Sequence, residues 1–317
     1  MSELLERFAK DIRLMDFDAI RTRYEKSIIP ELLDKSGKFD PELTDAECQL
    51  LDVLRRDGTC PYTFMTSADA RALYSELAAM PVLDGHVATA SKSIEYKTFA
   101  DVTSENYAHY TKNVLLGSQL IRRYVFANPR LQHIANAYLG APSNLYDIGC
   151  FWSYPEKERH PFSQMWHRDW DDYRFLVLFT FLTDVEDERD GVHKFILGSH
   201  LPELPDEFSR TTLPGRVYHW LASGLQAVRY GLRQVRGYTG SAFANLGSGQ
   251  YFGKRKLHPY YETLLKQHVR VIKGACGTSF FEDAGGLHLG EPPVARPRLL
   301  LWVRFGVSRA PLTEVQH

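Results

Sequence analysis

The sequence has few cysteines and no long apolar segment, and each absence excludes a class of protein. Its four cysteines lie far apart and form no C-x-x-C pair; they are Cys48, Cys60, Cys150 and Cys276. This spacing excludes a zinc ribbon or a disulfide framework and predicts a reducing, cytoplasmic environment. No run of eighteen apolar residues occurs, so no transmembrane helix is predicted. The opening MSELLERFAKDIRLMDF lacks an apolar signal segment, so we expect no secretion signal.

The composition provides ample material for a large core. The chain has 317 residues, of which 44% are hydrophobic and 13% aromatic. These values exclude disordered, collagen-like and coiled-coil classes. The length favours one domain with long insertions over two complete domains.

Charge is distributed unevenly along the chain, although the net charge is only −1. Between Phe208 and Tyr261 there is no Asp or Glu. The same stretch contains eight basic residues: Arg210, Arg216, Arg229, Arg233, Arg236, Lys254, Arg255 and Lys256. Such segregation indicates a surface that meets an anionic partner. The alternative is a solvated face that pairs with acidic residues elsewhere in the fold.

Helical signals dominate the first part of the chain. Residues 1–38 carry apolar side chains at roughly helical spacing. Thr44 and Glu47 form a T-x-x-E capping box, which predicts a helix that ends at the D-G pair 57–58. Ser67 is predicted to be the N-cap of the next helix.

From Asn144 onward the pattern changes to short strands rich in β-branched and aromatic residues. The predicted strands are NLYDIGCFWSY (144–154), RFLVLFTFLT (174–183), VHKFILG (192–198), GTSFF (277–281) and RLLLWVRFGV (298–307). Strands without alternating helices favour a sandwich or jelly roll over a doubly wound sheet. We therefore predict an α+β or mainly β fold, a double-stranded β-helix (cupin-like jelly roll) with flanking N-terminal helices. The predicted division is a helical extension at 1–40 and one domain at 41–317 with a helical or loop insertion at 201–269.

Four residues of the strand region indicate a metal centre. His167 and Asp169 are two positions apart, so an extended backbone directs both side chains to one side. His288 in GGLHLG offers a third ligand, and two histidines with one carboxylate are typical of non-haem Fe(II) oxygenases. Arg298 follows ten residues later, and a buried guanidinium there requires a carboxylate, which its fork binds bidentately. An H-x-D tripeptide occurs by chance in many proteins, and a lone histidine at a strand end is usually a core or turn residue, so the prediction depends on the combination.

These motifs resemble the phytanoyl-CoA dioxygenase family of Fe(II)/2-oxoglutarate enzymes, over about residues 43–307. The family's Q-x-W-H-x-D segment is matched at 164–169, and its P-G-S-H loop is matched in part by ILGSH. Leu197 stands where that loop usually has proline. The resemblance implies that His167, Asp169 and His288 hold Fe(II), with O2 as co-reactant.

The resemblance also implies roles in binding the cosubstrate. Arg298 is expected to bind the far carboxylate of 2-oxoglutarate, with Gln164 beside the cosubstrate or its surroundings. His193 stands where relatives often have a small or hydroxyl residue that faces 2-oxoglutarate. It is predicted to contact the cosubstrate, or alternatively to lie behind the ligands or point outward. Arg296 is a rival anchor, but it precedes a proline and lies outside the predicted strand.

The predicted activity is hydroxylation of an unactivated C–H bond, with release of succinate and CO2. An intact Asp169 favours this outcome, because related halogenases carry Gly or Ala at the carboxylate position. Desaturation, epoxidation or cyclisation in natural-product or glycan tailoring stays open.

The substrate is predicted to be a small anionic metabolite, or an intermediate linked to coenzyme A or a carrier protein. Its candidate contacts are Trp170 and three arginines on one predicted helix face: Arg229, Arg233 and Arg236. A nucleic-acid enzyme is disfavoured by the near-neutral total charge. A jelly-roll binding protein, in which His167 and His288 only pack, is the non-enzyme alternative.

Overall fold

The structure is a computed structural model of the 317-residue chain. It describes residues 3–15, 17–36, 41–84, 95–102, 107–155, 164, 166–201 and 266–312. The interior of the predicted insertion, including Arg229, Arg233 and Arg236, lies outside the described residues.

The helices precede most of the strands in the chain. They are α1 (Glu3–Leu14), α2 (Phe17–Arg23), α3 (Ile29–Ser36), α4 (Asp45–Asp57), α5 (Ser67–Ala78), α6 (Lys112–Gly117), α7 (Gln119–Ile121) and α8 (Pro129–Leu139). Wider π-helical turns continue α2 and α7, and 3-10 turns lie at Phe99–Asp101, Glu188–Asp190 and Lys266–His268. Within the described ranges, no helix is both long and apolar enough to cross a membrane.

The capping box predicted for α4 is confirmed. The Thr44 hydroxyl accepts from the Glu47 amide at 3.3 Å, and the Thr44 amide donates to the Glu47 carboxylate at 2.8 Å. Gly58 ends the helix with φ +84°, a backbone angle at which glycine has no steric cost.

The N-cap predicted for α5 was wrong by one residue. Thr66 is the cap, and its hydroxyl accepts from the Asp69 amide at 3.1 Å. Ser67 is the first helical residue. An N-cap side chain bonds the amide two or three positions later, and the pair Thr66 and Asp69 has that spacing.

Eleven strands lie in the described part of the chain. They are β1 (Thr59–Tyr62), β2 (Val82–Asp84), β3 (Glu95–Tyr96), β4 (Tyr107–His109), β5 (Asn144–Ser153), β6 (Phe175–Phe181), β7 (His193–Ile196), β8 (Val269–Ile272), β9 (Ser279–Glu282), β10 (His288–Gly290) and β11 (Arg298–Gly306). The five predicted strands are confirmed as β5, β6, β7, β9 and β11.

The strands form two antiparallel sheets. The larger has the order β1-β9-β6-β11-β5-β4-β2-β3, and the smaller has the order β10-β7-β8. β11 is central, because it pairs with β5 on one side and β6 on the other. Every residue of β6 is buried, as expected of a strand covered on both faces. The predicted cupin-like jelly roll with flanking helices is confirmed.

The N-terminal helices pack into the main core. Phe8, Ile20 and Tyr24 belong to the same buried cluster as the sheet residues. The Tyr24 hydroxyl also donates to the carbonyl of Leu139, at the end of α8, at 2.6 Å. The described part of residues 1–40 is therefore continuous with the core, and the division at residue 40 stays a prediction.

Candidate metal centre

The three predicted ligands lie together. One ligand atom from each of His167, Asp169 and His288 lies within 4.8 Å of the others. The distance from His167 Nε2 to Asp169 Oδ1 is 3.6 Å, and the two imidazole centroids are 4.2 Å apart. This geometry suits a single metal ion.

Backbone pairing brings these residues together across the chain. His167 and His288 face each other in an antiparallel bridge, each amide donating to the other's carbonyl at 3.0 Å. The amide of Asp169 donates to the carbonyl of Ala284 at 2.9 Å. The 166–169 segment is thus held against the chain that leads into β10.

One hydrogen bond selects the nitrogen of His288 that can bind a metal. Nδ1 lies 3.0 Å from the carbonyl oxygen of Gly286. A carbonyl only accepts, so Nδ1 carries the proton and Nε2 keeps a free lone pair. Burial, together with the neighbouring His167, lowers the pKa of His288 to about 4. The ring is therefore neutral at physiological pH, the form that binds metals.

A buried Glu282–His193 pair lies behind the ligands, and the sequence analysis missed Glu282. His193 Nε2 is 2.8 Å from Glu282 Oε2, and the His193 ring stacks on His288 at 5.6 Å. Burial, with the charge of Arg298 adding to it, lowers the pKa of His193 to about 3. Burial raises the pKa of Glu282 to about 8. His193 therefore points inward, and its outward alternative was wrong; its contact with a cosubstrate stays a prediction.

Arg298 is a buried cation at the first position of β11, and the residue is only 3% exposed. Its guanidinium donates to the carbonyls of Gly191 and Glu291 and, at 3.4 Å, to the Ser153 hydroxyl. Among the described residues no carboxylate lies within 4.0 Å of it, and its Nε has no hydrogen-bond partner. Burial lowers the pKa of Arg298 to about 10. The nearby Tyr107 and Glu291 offset only part of this effect of burial. A buried charge without a contacting carboxylate is costly, and an anionic ligand lowers that cost.

Arg298 lies beside the metal centre. Gly290, two residues after His288, passes so close that a Cβ there would lie 3.2 Å from Arg298 Nη2. The guanidinium is also near enough to His193 to depress its pKa. An anion bound by Arg298 would therefore lie beside the strand that carries His288.

The remaining residues predicted for the site lie in different environments. Gln164 is buried, and Trp170 is half-buried against the main core. Arg296 is 47% exposed and bonds the Asp190 carboxylate at 3.0 Å, so it is already paired at the surface. The three insertion arginines lie beyond the described part of the chain.

Comparison with known proteins gives structural similarities only. No family model and no curated protein matches the sequence. The epimerase SnoN with Fe3+, alpha ketoglutarate and nogalamycin RO aligns at 18% identity and TM-score 0.49, covering 84% of this chain and 86% of SnoN. HygX from Streptomyces hygroscopicus with nickel and 2-oxoglutarate gives 12% identity and TM-score 0.46, covering 87% and 91%.

A third solved structure is EvdO2 from Micromonospora carbonacea var. aurantiaca with 2-oxoglutarate. It aligns at 15% identity and TM-score 0.46, covering 88% of this chain and 96% of EvdO2. All three TM-scores are below 0.5. The fold of this chain is assigned from its own strand order.

Proposed function

We propose that the protein is an Fe(II)/2-oxoglutarate-dependent oxygenase. The observation that carries the proposal is the position of Arg298, a buried guanidinium without a carboxylate partner among the described residues. It lies beside a cluster of two histidines and one carboxylate. A dicarboxylate that also approaches the metal accounts for both features at once.

The donor set fits a non-haem iron. His167, Asp169 and His288 would hold Fe(II) as two neutral imidazoles and one carboxylate. With a pKa of about 8, Glu282 is mostly protonated at neutral pH, so Asp169 provides the negative charge of the ligand set. When bound, the iron with 2-oxoglutarate and O2 supplies oxidation of a C–H bond, with succinate and CO2 as products.

The chain's own residues bind and orient the cosubstrate. Arg298 binds the far carboxylate of 2-oxoglutarate, and its bonds to backbone carbonyls fix the direction of its remaining N–H groups. Gln164 and His193 are proposed to line the cosubstrate's surroundings. The neutral His193 ring, tied to Glu282, adds no second cation beside Arg298.

Hydroxylation is the proposed outcome, because this chain has the carboxylate of Asp169 at the position where related halogenases carry Gly or Ala. Desaturation, epoxidation or cyclisation would use the same residues with a different substrate pose.

The proposed substrate is a small anionic molecule, free or linked to a carrier. This proposal depends on the basic, acid-free stretch of the insertion. Neutralising Arg229, Arg233 and Arg236 together should raise the KM of the true substrate with kcat largely kept. An unchanged KM would refute the anionic class.

Succinate release from 2-oxoglutarate tests the activity before any substrate is known. The wild type with Fe(II) and O2 is expected to form succinate above the level of His167→Ala. Arg296→Gln is the matched control and should resemble the wild type, because Arg296 is paired at the surface. Equal succinate formation by wild type and His167→Ala would contradict the proposal.

A further inference from the structure

A buried salt bridge joins the N-terminal helices to the chain segment behind the metal centre. Arg21, in α2, places Nη2 2.5 Å from Asp283 Oδ1, across 262 residues of sequence. The two side chains are 4% and 0% exposed. A contact this long-range and this buried connects two parts of the molecule that the chain itself keeps far apart.

Asp283 has further partners that hold it ionised. Its Oδ2 accepts from the Tyr138 hydroxyl at 2.8 Å and from Arg174 Nε at 3.1 Å. Burial alone would raise the pKa of Asp283, but the guanidinium groups of Arg21 and Arg174 hold it well below its usual range. The carboxylate is therefore a fixed negative charge to which α2 is attached.

Asp283 also organises a turn that supports the ligands. Its Oδ1 accepts from the Gly285 amide at 3.1 Å, and its carbonyl accepts from the Gly286 amide at 2.8 Å. The carbonyl of Gly286 accepts from His288 Nδ1 at 3.0 Å. The neighbouring carbonyl, that of Ala284, accepts from the Asp169 amide at 2.9 Å. Two of the three proposed ligands are thus held by the 283–286 turn.

The guanidinium of Arg21 lies directly against this turn. A Cβ at Gly285 would lie 2.0 Å from Arg21 Nη2, closer than atoms can approach. A side chain at position 285 would therefore displace the Arg21 guanidinium from its place against the turn.

We infer that Arg21 is a positioning residue for the metal centre, and that the N-terminal helices hold the 283–286 turn through the Arg21–Asp283 bond. A buried ion pair adds little net stability over a well-packed apolar pair, so a role in fixing geometry explains its presence better. The part of this inference that concerns metal binding rests on the proposed function. The part that concerns the turn does not.

Hydrogen exchange of the metal-free full-length chain tests the turn. In Arg21→Gln, peptides covering 283–288 are expected to exchange about tenfold faster or more than in wild type. The matched control is Tyr24→Phe, which removes a buried hydrogen bond from the same N-terminal segment to Leu139. This control should leave exchange at 283–288 near the wild-type rate. Equal exchange at 283–288 in Arg21→Gln and Tyr24→Phe would overturn the inference.

Titration with Co(II) alone, followed by its visible spectrum, tests the consequence for the ligands. Arg21→Gln is expected to weaken Co(II) binding by about tenfold or more, as loss of residues behind metal ligands does, with Tyr24→Phe near wild type. Co(II) affinity equal in Arg21→Gln and Tyr24→Phe would overturn the inference. Co(II) that binds wild type and His167→Ala alike would overturn the proposed function instead, and the exchange comparison then decides the inference by itself.

If Arg21→Gln does not fold, Arg21→Lys replaces it in both experiments. Lysine keeps the positive charge but loses the planar fork that lies on the turn. The same order of variants is expected with smaller differences. Arg21→Lys indistinguishable from Tyr24→Phe in both readouts would count against the inference.

Discussion

Two buried arginines of this protein have equal exposure and opposite surroundings. Arg21 and Arg298 are each 3% exposed. Arg21 meets the Asp283 carboxylate at 2.5 Å, whereas no described carboxylate lies within 4.0 Å of Arg298. A buried charge is costly until it is paired. The comparison teaches that Arg21 is neutralised within the fold, and that Arg298 keeps the buried positive charge to which the proposed function assigns a ligand.

Removing Asp283 should give the largest effect, because it leaves Arg21 and Arg174 without their shared carboxylate. Asp283→Ala is expected to lower the free energy of unfolding by about 3–5 kcal/mol, measured by urea denaturation. Glu31→Ala, which breaks the partly exposed pair with Arg7, is the control and should cost about 1 kcal/mol or less. If Asp283→Ala lowered the free energy of unfolding no more than Glu31→Ala, the stabilising role assigned to the Arg21–Asp283 pair would be wrong.

Removing Arg298 should act on the ligand and not on the fold. Arg298→Met is expected to weaken 2-oxoglutarate binding by about 2–5 kcal/mol, the cost of truncating one partner of a buried charge pair. The free energy of unfolding without ligand should stay within about 1 kcal/mol of wild type, because the variant also removes a buried charge that no described carboxylate contacts. Calorimetric titration of the Co(II)-loaded protein and urea denaturation provide the two numbers. If Arg298→Met strongly lowered the free energy of unfolding and left the 2-oxoglutarate affinity unchanged, Arg298 would be a structural residue and not a ligand-binding one.

The stability of the protein at acid pH should depend on Asp283, the carboxylate that pairs with Arg21. The folded-state pKa of Asp283 lies below its unfolded value of about 3.9. Its contribution to stability is therefore present above about pH 4 and is lost as the pH falls through the folded pKa. Between pH 5 and pH 2.5 the free energy of unfolding should fall more steeply for wild type than for Asp283→Asn. Parallel curves would show that Asp283 is not held ionised by its arginines.

The smallest effect is expected at Arg296, which tests whether burial matters to the comparison. Arg296→Gln removes a guanidinium only two residues from Arg298 in sequence, but one that is 47% exposed and paired with Asp190. Exposed pairs contribute about 1 kcal/mol or less, so stability should change by no more than that. The affinity for 2-oxoglutarate should stay within about twofold of wild type. A loss of affinity as large as that of Arg298→Met would identify Arg296 as the anchor.

The ligand-binding side of this comparison, Arg298 with the proposed metal ligands, could be predicted from local sequence patterns. His167 and Asp169 are recognisable by their two-residue spacing, and His288 and Arg298 by their place beside or within predicted strands. The strands themselves are predictable because these apolar runs are short, rich in β-branched and aromatic residues, and bounded by turn residues.

The structural side, the Arg21–Asp283 pair and the buried Glu282, could not be predicted, because it depends on contacts between residues far apart in the sequence. Glu282 follows the apolar run GTSFF, where a charged residue resembles the start of a solvated turn, although the fold buries it completely. Arg21 lies on a helix with other charged residues, and its partner is 262 positions away. The N-cap error at Thr66 has a smaller cause, because two good capping residues stand side by side.

The most direct test of the central claim is an anaerobic titration of the metal-free protein with Fe(II) and then 2-oxoglutarate, followed by the visible charge-transfer band of the pair. A saturable band is predicted in wild type. It should be absent in His167→Ala, and in Arg298→Met it should require much more 2-oxoglutarate. A folded wild type without the band, or an equal band in His167→Ala, would contradict the account.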